Sequence, residues 1–382
     1  MKLGEVAEIR GRIGYRGYRT EDLVAKECGA LVIGGKHISQ NRLDLSDPDY
    51  LSWAKFLESP EIAIEEDDII IAQRGTLGRS ALVKYDIGKA TINPSVLILR
   101  HKLVNARFLH YTLLKDDSIS YIMRCASKTS IPMISQKQLG DMPIYQASLE
   151  EQEKIASFLS LIDERIEVQN AISNDLESLI VGFYNSVQYV TKAGWHKVRL
   201  RDLLTIRKEQ NTSGSYEVYS VSVSRGIVNQ IVHLGRSFAA ANTSNYGVVH
   251  PGDLVYTKSP TGQFPFGIVK QNHNASPVAV SPLYGVYRPI SPEVGTLLHY
   301  FFLSPLRANN YLAPLIQKGA KNTINIRTDH FLDNVVLLPK EEKELRCIAD
   351  CLLALDERLS VEKEYVEQLK QQKAYLLRQM FI

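Results

Sequence analysis

The heptapeptide Gln73-Arg74-Gly75-Thr76-Leu77-Gly78-Arg79 gathers a carboxamide, two guanidinium groups and a hydroxyl around two glycines. Arginine can pair with guanine through two hydrogen bonds and glutamine with adenine, while glycine lets a backbone approach a phosphate closely. A run of related character, Lys258-Ser259-Pro260-Thr261-Gly262-Gln263, lies in the second half. Ser127-Lys128-Thr129-Ser130 and Lys321-Asn322-Thr323 join lysine to short polar side chains, which suits phosphate contact. Tyr15-Arg16-Gly17-Tyr18-Arg19 and Gly34-Gly35-Lys36-His37 complete the set. The candidate contact residues are Arg16, Arg19, Lys36, Gln73, Arg74, Thr76, Arg79, Lys128, Thr129, Lys258, Ser259, Thr261, Lys321, Asn322 and Thr323. Each run alone also reads as a solvated turn, since glycine and small polar residues punctuate turns. Recurrence in both halves favours contact. It fits equally a turn that the fold requires, so Gly75 and Gly262 are read first as structural.

No other reactive constellation competes. The sequence has no Walker loop, no GxSxG elbow, no HExxH and no Cys/His zinc pattern. Asn93-Pro94-Ser95 approaches an amino-methyltransferase motif but lacks its second proline and its stacking aromatic. The four cysteines, Cys28, Cys125, Cys347 and Cys351, form no disulfide framework and are expected to be buried and reduced. His110 and His299, each beside a tyrosine, read as packing or surface residues. The formal charge of +3, with 45% hydrophobic and 23% charged residues, describes a globular protein that neither demands nor excludes a polyanionic partner. Met1-Lys2-Leu3-Gly4-Glu5 has no apolar signal core, and no stretch has the length of a membrane span, so a cytoplasmic location is expected.

The elements that must position these loops are repeated. Ile155 aligns with Ile348, 193 positions on, and the same offset superposes Asp163-Glu164-Arg165 on Asp356-Glu357-Arg358. Before the helices the correspondence continues: Asp68 with Asp253, Leu109-His110-Tyr111 with Leu298-His299-Tyr300, and Leu3 with Leu200. There the offset drifts between 185 and 197, so the globular parts have diverged more than the helices. Strands are expected at Ala63-Ile64, Ile69–Ala72, Ser80–Tyr85 and Ser95–Leu99, with a helix from Asn105 to Asp116. The second half follows the plan at Gly252–Thr257, Phe266–Gln271, Ser281–Tyr287 and Val294–Phe302.

The two long helices carry apolar stripes at three-four spacing. The pairing residues expected are Ile155, Leu159, Ile162, Ile166 and Leu176 on the first, with Leu179, Phe183 and Val187 continuing its stripe. On the second they are Ile348, Leu352, Leu355, Leu359 and Leu369, with Leu345, Val366, Leu376 and Met380. Ser148 and Glu151 form a capping box. Gln169 and Glu362 interrupt the stripes at equivalent places, either as register-fixing seam residues or as residues facing water. Helices of about 36–40 residues would span about 55–60 Å, against about 34 Å for one turn of B-DNA. The expected fold is α+β: two strand-rich recognition domains, 1–147 and 193–339, alternating with helical spacers, 148–192 and 340–382. The spacers pair as an antiparallel coiled coil, giving a pseudo-two-fold repeat.

Pro143-Ile144-Tyr145-Gln146-Ala147-Ser148-Leu149-Glu150-Glu151-Gln152-Glu153-Lys154-Ile155-Ala156-Ser157-Phe158-Leu159, continuing to Asp163-Glu164-Arg165-Ile166, resembles the start of the central helix in specificity subunits of Type I restriction-modification systems. Asp68-Ile69-Ile70-Ile71-Ala72-Gln73-Arg74-Gly75-Thr76-Leu77-Gly78 resembles their target-recognition signature. The order of two domains and two helices covers the whole chain. The second helix departs at its start, with Lys343-Glu344-Leu345 in place of the Glu151-Gln152 signature, and only the second half opens on a full lead-in at Trp195. The resemblance implies a non-catalytic subunit in which each recognition domain reads half of a bipartite duplex target. It implies helices that set the gap and dock two modification subunits, with a separate restriction subunit. S-adenosylmethionine and ATP would bind those partners, not this chain. The other classes open at this point are a coiled-coil adaptor that binds protein only, and a methyltransferase or nuclease with an unrecognised site.

Overall fold

A computed structural model describes the chain except for residues 191–193, 232–242, 319–323 and 382. It folds into two compact units, residues 1–170 with 364–382 and residues 171–363. Each unit therefore contains a globular part and a stretch of both long helices, Leu149–Val190 (the central helix) and Glu342–Gln379 (the C-terminal helix).

The globular part of the first unit is built on β1 (Ala7–Arg10), β2 (Gly29–Ile33), β3 (Asp49–Ser52), β4 (Ile69–Ala72), β5 (Ser80–Leu82), β6 (Ala90–Ile92) and β7 (Val96–His101). Helices α1 (Ala106–Leu113) and α2 (Asp116–Cys125) follow. An antiparallel sheet runs β1-β7-β4-β5, and a second sheet runs β3-β2-β6 with β2 and β6 parallel. Alternate residues of a strand face opposite sides, and here both sides are apolar. Ile69 and Ile71 join Leu97, Leu99 and Leu109 in one core, while Ile70 and Ala72 join Ile33, Ile92 and Ile98 in another. The expected strand at Ala63-Ile64 is reduced to one bridge, Ala63 to Thr91. Asn105 caps α1, its Oδ1 accepting the Phe108 amide at 3.0 Å.

The second unit has β8 (Trp195–Arg199), β9 (Leu204–Ile206), β10 (Gly247–Val249), β11 (Leu254–Thr257), β12 (Ile268–Gln271), β13 (Val278–Val280), β14 (Gly285–Pro289) and β15 (Val335–Pro339). Its helices are α3 (Pro292–Leu303) and α4 (Pro305–Leu312). The sheet order β9-β14-β11-β12 repeats that of the first unit. The lead-in differs: β8 pairs with β15 over five residues, whereas the first unit has only a Lys2–Pro143 bridge. The strand expected from Ser281 starts later, because the Tyr284 amide donates to Ser281 O at 3.0 Å and closes a turn.

Both units bury the same carboxylate. Asp68 accepts Arg100 Nε and Nη2 at 2.8 and 2.7 Å, and the Glu65 amide at 2.8 Å. Asp253 accepts Arg207 Nε and Nη2 at 2.6 and 3.0 Å, and the His250 amide at 2.8 Å. The arginine comes from β7 in one unit and from just beyond β9 in the other, strands that are neighbours in the shared sheet order. The preceding residue is left-handed in both, Asp67 at φ 65° and Gly252 at φ 84°.

Along the helices the buried positions recur at the spacing of a coiled coil. In the first unit Ile162 and Ile166 pack against Val366 and Leu369, and Leu159 and Ile155 lie with Leu376. In the second, Leu176, Ile180 and Tyr184 share a core with Ile348, Leu352, Leu355 and Leu359. Within each unit one helix ascends as the other descends, so the pairing is antiparallel. Leu179 departs from the expected stripe and is exposed, because Ile180 and Tyr184 take the inward positions. Gln169 and Glu362 are both buried, and Glu362 is paired with Arg358. The expected burial of the cysteines is overturned. Cys28, Cys347 and Cys351 are exposed and Cys125 is half-buried, all as free thiols. Cys347 and Cys351 sit one helix step off the inward pair Ile348 and Leu352, which turns them out to solvent. His110 and His299 are buried, and burial holds His110 down to about 4.

Candidate nucleic-acid interface

Two of the candidate stretches of the first unit bond directly to the turn at Asn93-Pro94-Ser95, between β6 and β7, and the other two are tied in beside it. The loop 73–79 joins β4 to β5, and the Gln73 and Arg74 amides donate to Ser95 O at 3.0 and 3.2 Å. Gln73 Nε2 donates to Pro94 O at 2.9 Å. On the other side, the Ile134 amide donates to Gln73 O at 3.1 Å and the Gly75 amide to Pro132 O at 3.3 Å, which docks the segment carrying Lys128 and Thr129. The Gly35 amide donates to Ser95 Oγ at 3.1 Å, bringing in the glycine turn that carries Lys36. Asn93 Oδ1 holds the turn itself, accepting the Ser95 amide at 2.8 Å and Ser95 Oγ at 2.6 Å. Buried Arg12 ties in the fourth stretch by donating to Ile92 O at 2.9 Å and Arg16 O at 3.3 Å. Burial lowers the Arg12 pKa and raises that of Tyr18, whose ring lies 5.4 Å from the guanidinium.

The charges of this surface fall into two groups. Arg74, Arg79 and Lys128 are exposed and have no ion-pair partner among the described residues. Arg16 meets Glu61 at 3.2 Å, Arg19 meets Glu21 at 3.6 Å, and Lys36 meets both Asp47 and Asp49 at 3.0 Å. These carboxylates raise the Lys36 pKa. Such exposed pairs contribute about 0–1 kcal/mol and compete with a phosphate only weakly. Thr76 is exposed, while Thr129 Oγ1 donates to Ile131 O at 2.8 Å within its own turn. Gly75 at φ 76° would meet nothing with an added Cβ, so backbone conformation is what requires glycine there.

In the second unit the loop from Lys258 joins β11 to β12 at the matching place. Thr261 and Phe264 exchange amide hydrogen bonds of 3.1 and 2.9 Å, and Asn309 Nδ2 donates to Gln263 O at 3.0 Å, fixing the loop on α4. Lys258 is half-buried, and Ser259 and Thr261 are exposed at the tip. Gly262 is left-handed at φ 51° with open space around it. Ser281-Pro282 stands where the first unit has Asn93-Pro94, and its Oγ accepts the Leu283 amide at 3.3 Å. Lys321, Asn322 and Thr323 lie outside the described residues. No cluster of three or more metal-ligating side chains occurs among the described residues, and no described helix is long and apolar enough to cross a membrane.

Residues 1–178 match the model of the Type I restriction modification DNA specificity domain. Over those residues the chain is similar to that family. The S subunit of the Type I restriction-modification system from M. genitalium is 13% identical, with a TM-score of 0.61 over 100% of this chain and 95% of that one. A second structure, described as showing complex assembly and conformational transition of the type I R-M system, is 17% identical, with a TM-score of 0.51 over 100% of this chain and 96% of that one. At these identities the likeness is one of fold, and it extends to the second unit, beyond the residues matched by the family. In this fold the Asn93 turn is a framework feature, and its resemblance to a methyltransferase signature has a structural origin. An Asn-Pro dipeptide between two strands is a turn signal that could have marked it.

Proposed function

We propose that the chain is the DNA sequence-specificity subunit of a Type I restriction-modification complex, with each globular part reading one half of a bipartite duplex target. The observation that carries this reading is the gathering of the separate polar loops of the first unit around one turn, with three exposed cations not neutralised by neighbouring carboxylates. The same sheet and the same loop position recur in the second unit. Phosphate contacts would orient the domain, and base contacts would come from Arg74 and Arg79, the longest free donors.

The helices set the gap between half-sites and dock the modification subunits. Support for docking comes from exposed apolar residues on the central helix: Phe158, Leu161 and Val168 in the first unit, Ile172, Leu179 and Val181 in the second. Phe158, Leu161 and Val168 line an open groove with Tyr365 and Leu369 of the C-terminal helix, where Arg165 lies over the Tyr365 ring at 5.5 Å. Methyl transfer with S-adenosylmethionine and ATP-driven translocation and cleavage belong to the partners, and this chain is non-catalytic.

The test is binding and methylation by the chain together with its methyl-transferring partner. Salt-sensitive binding with a clear sequence preference is expected. Exchanging residues 1–147 for another recognition domain should change one half-site only. Loss of any sequence preference would favour a protein-binding adaptor, and methylation or cutting by the isolated chain would replace the reading with an enzyme.

A further inference from the structure

We propose that Asp163 and Asp356, the aspartates of the repeated Asp-Glu-Arg tripeptide, are positioning residues that lock each recognition domain onto its helix pair and so restrict the spacer length that the protein accepts. The proposal rests on the specificity-subunit reading above and assigns a role to a motif which that reading leaves unused.

In the first unit three elements meet at one carboxylate. Tyr111 on α1 donates its hydroxyl to Asp163 Oδ2 at 2.8 Å. Lys373 on the C-terminal helix donates to Oδ1 and Oδ2 at 2.6 and 2.8 Å. The same ammonium stands 5.2 Å from the Tyr111 ring centroid. The Asp163 and Lys373 side chains are 17% and 15% exposed, so this is a largely desolvated, charge-assisted contact and not a surface pair. The neighbouring links from the domain to the helix, Arg42 and Lys84 to Glu167, are more open to solvent.

The second unit keeps the carboxylate and the tyrosine in sequence but not the lysine. Tyr300 on α3, at the place of Tyr111, donates its hydroxyl to Leu352 O on the C-terminal helix at 3.3 Å. Ile180 stands 193 positions before Lys373 and is buried and apolar. Asp356 raises the pKa values of Lys270 and His273, partly offsetting the lowering by burial. A tyrosine at the same helical place and an aspartate at the same offset recur in domains whose loops have diverged. Selection on loop chemistry would not preserve that arrangement; a need for one fixed domain angle would. A hydroxyl-to-carboxylate contact buried between domain and helix resists pivoting, and pivoting is what a duplex with one base pair more or less in the gap would demand.

The test uses the chain assembled with its methyl-transferring partner and duplexes carrying the cognate gap, one base pair fewer, or one more. Asp163→Asn removes the ion pair at constant shape, and Tyr111→Phe removes only the hydroxyl. Each should narrow the preference for the cognate gap by about five- to tenfold, while discrimination against a base change inside either half-site stays unchanged. Asp356→Asn should do the same through the second unit. A merely structural role would weaken binding to all duplexes together and leave the gap ratio intact. Gap ratios within twofold of the parent in both Asp163→Asn and Tyr111→Phe overturn the proposal alone. A parent complex with no base or gap preference overturns the specificity reading and the proposal with it.

Discussion

Arg207→Ala should unfold the second unit far more readily than any surface charge deletion. Asp253 is 2% exposed, and its carboxylate is held by two guanidinium hydrogen bonds of 2.6 and 3.0 Å plus the His250 amide at 2.8 Å. Truncating the arginine strands a buried carboxylate with one amide. Breaking such a pair costs about 3–5 kcal/mol. The deficit of the variant at pH 7 should therefore be about 3–5 kcal/mol. Asp253→Asn should be milder, since the freed arginine keeps Glu209 at 3.6 Å. The assay is urea unfolding followed by Trp195 fluorescence. Trp195 is 6% exposed in the second core, and Trp53→Phe silences the only other tryptophan. A deficit below about 1 kcal/mol at pH 7 would refute the account of this pair.

Asp67→Gly should stabilise the first unit by about 0.5–1 kcal/mol, because Asp67 sits at φ 65° where the second unit has Gly252; thermal unfolding of parent and variant measures it. Phe381→Ala should cost about 3–5 kcal/mol in the first unit, since the ring is 4% exposed and lies 5.2 Å from Phe108 and 6.0 Å from Tyr145. Hydrogen exchange should then quicken in α1 while α3 is unaffected. Burial lowers Lys270 to about 8, with Asp356 partly offsetting it. The unfolded chain thus binds more protons above that value, so stability rises from about pH 8 to about pH 10.5 on this account. Lys270→Met should be more stable near pH 7 and lose that rise, read as the difference between parent and variant melting profiles.

Much of the architecture was legible because it lies in local periodicity. The strand at Ile69–Ala72, the helix after Asn105 and the capping box at Ser148 follow from side-chain type over a few residues. The offset of 193 carried the pairing of the helices in the same way, since identical stripes demand identical seams. What escaped were choices between neighbours one residue apart. Leu179 and Ile180 both satisfy a three-four count; Tyr184 decides between them, because its ring packs edge-on to Trp195 at 6.5 Å and under Arg307 at 4.5 Å.

The sequence by itself determined that two like halves exist and that each has a strand-rich part and a long helix. Only the tertiary structure decided that the runs at 34–37 and 73–79 share one anchor at Pro94-Ser95, that the segment after 127–130 docks on the 73–79 loop, and which of the cations are already matched by carboxylates. Those are long-range backbone hydrogen bonds and ion pairs between segments far apart in the chain. No local pattern encodes them, because the partner of a carbonyl or an ammonium is set by how strands cross and not by the residues beside it.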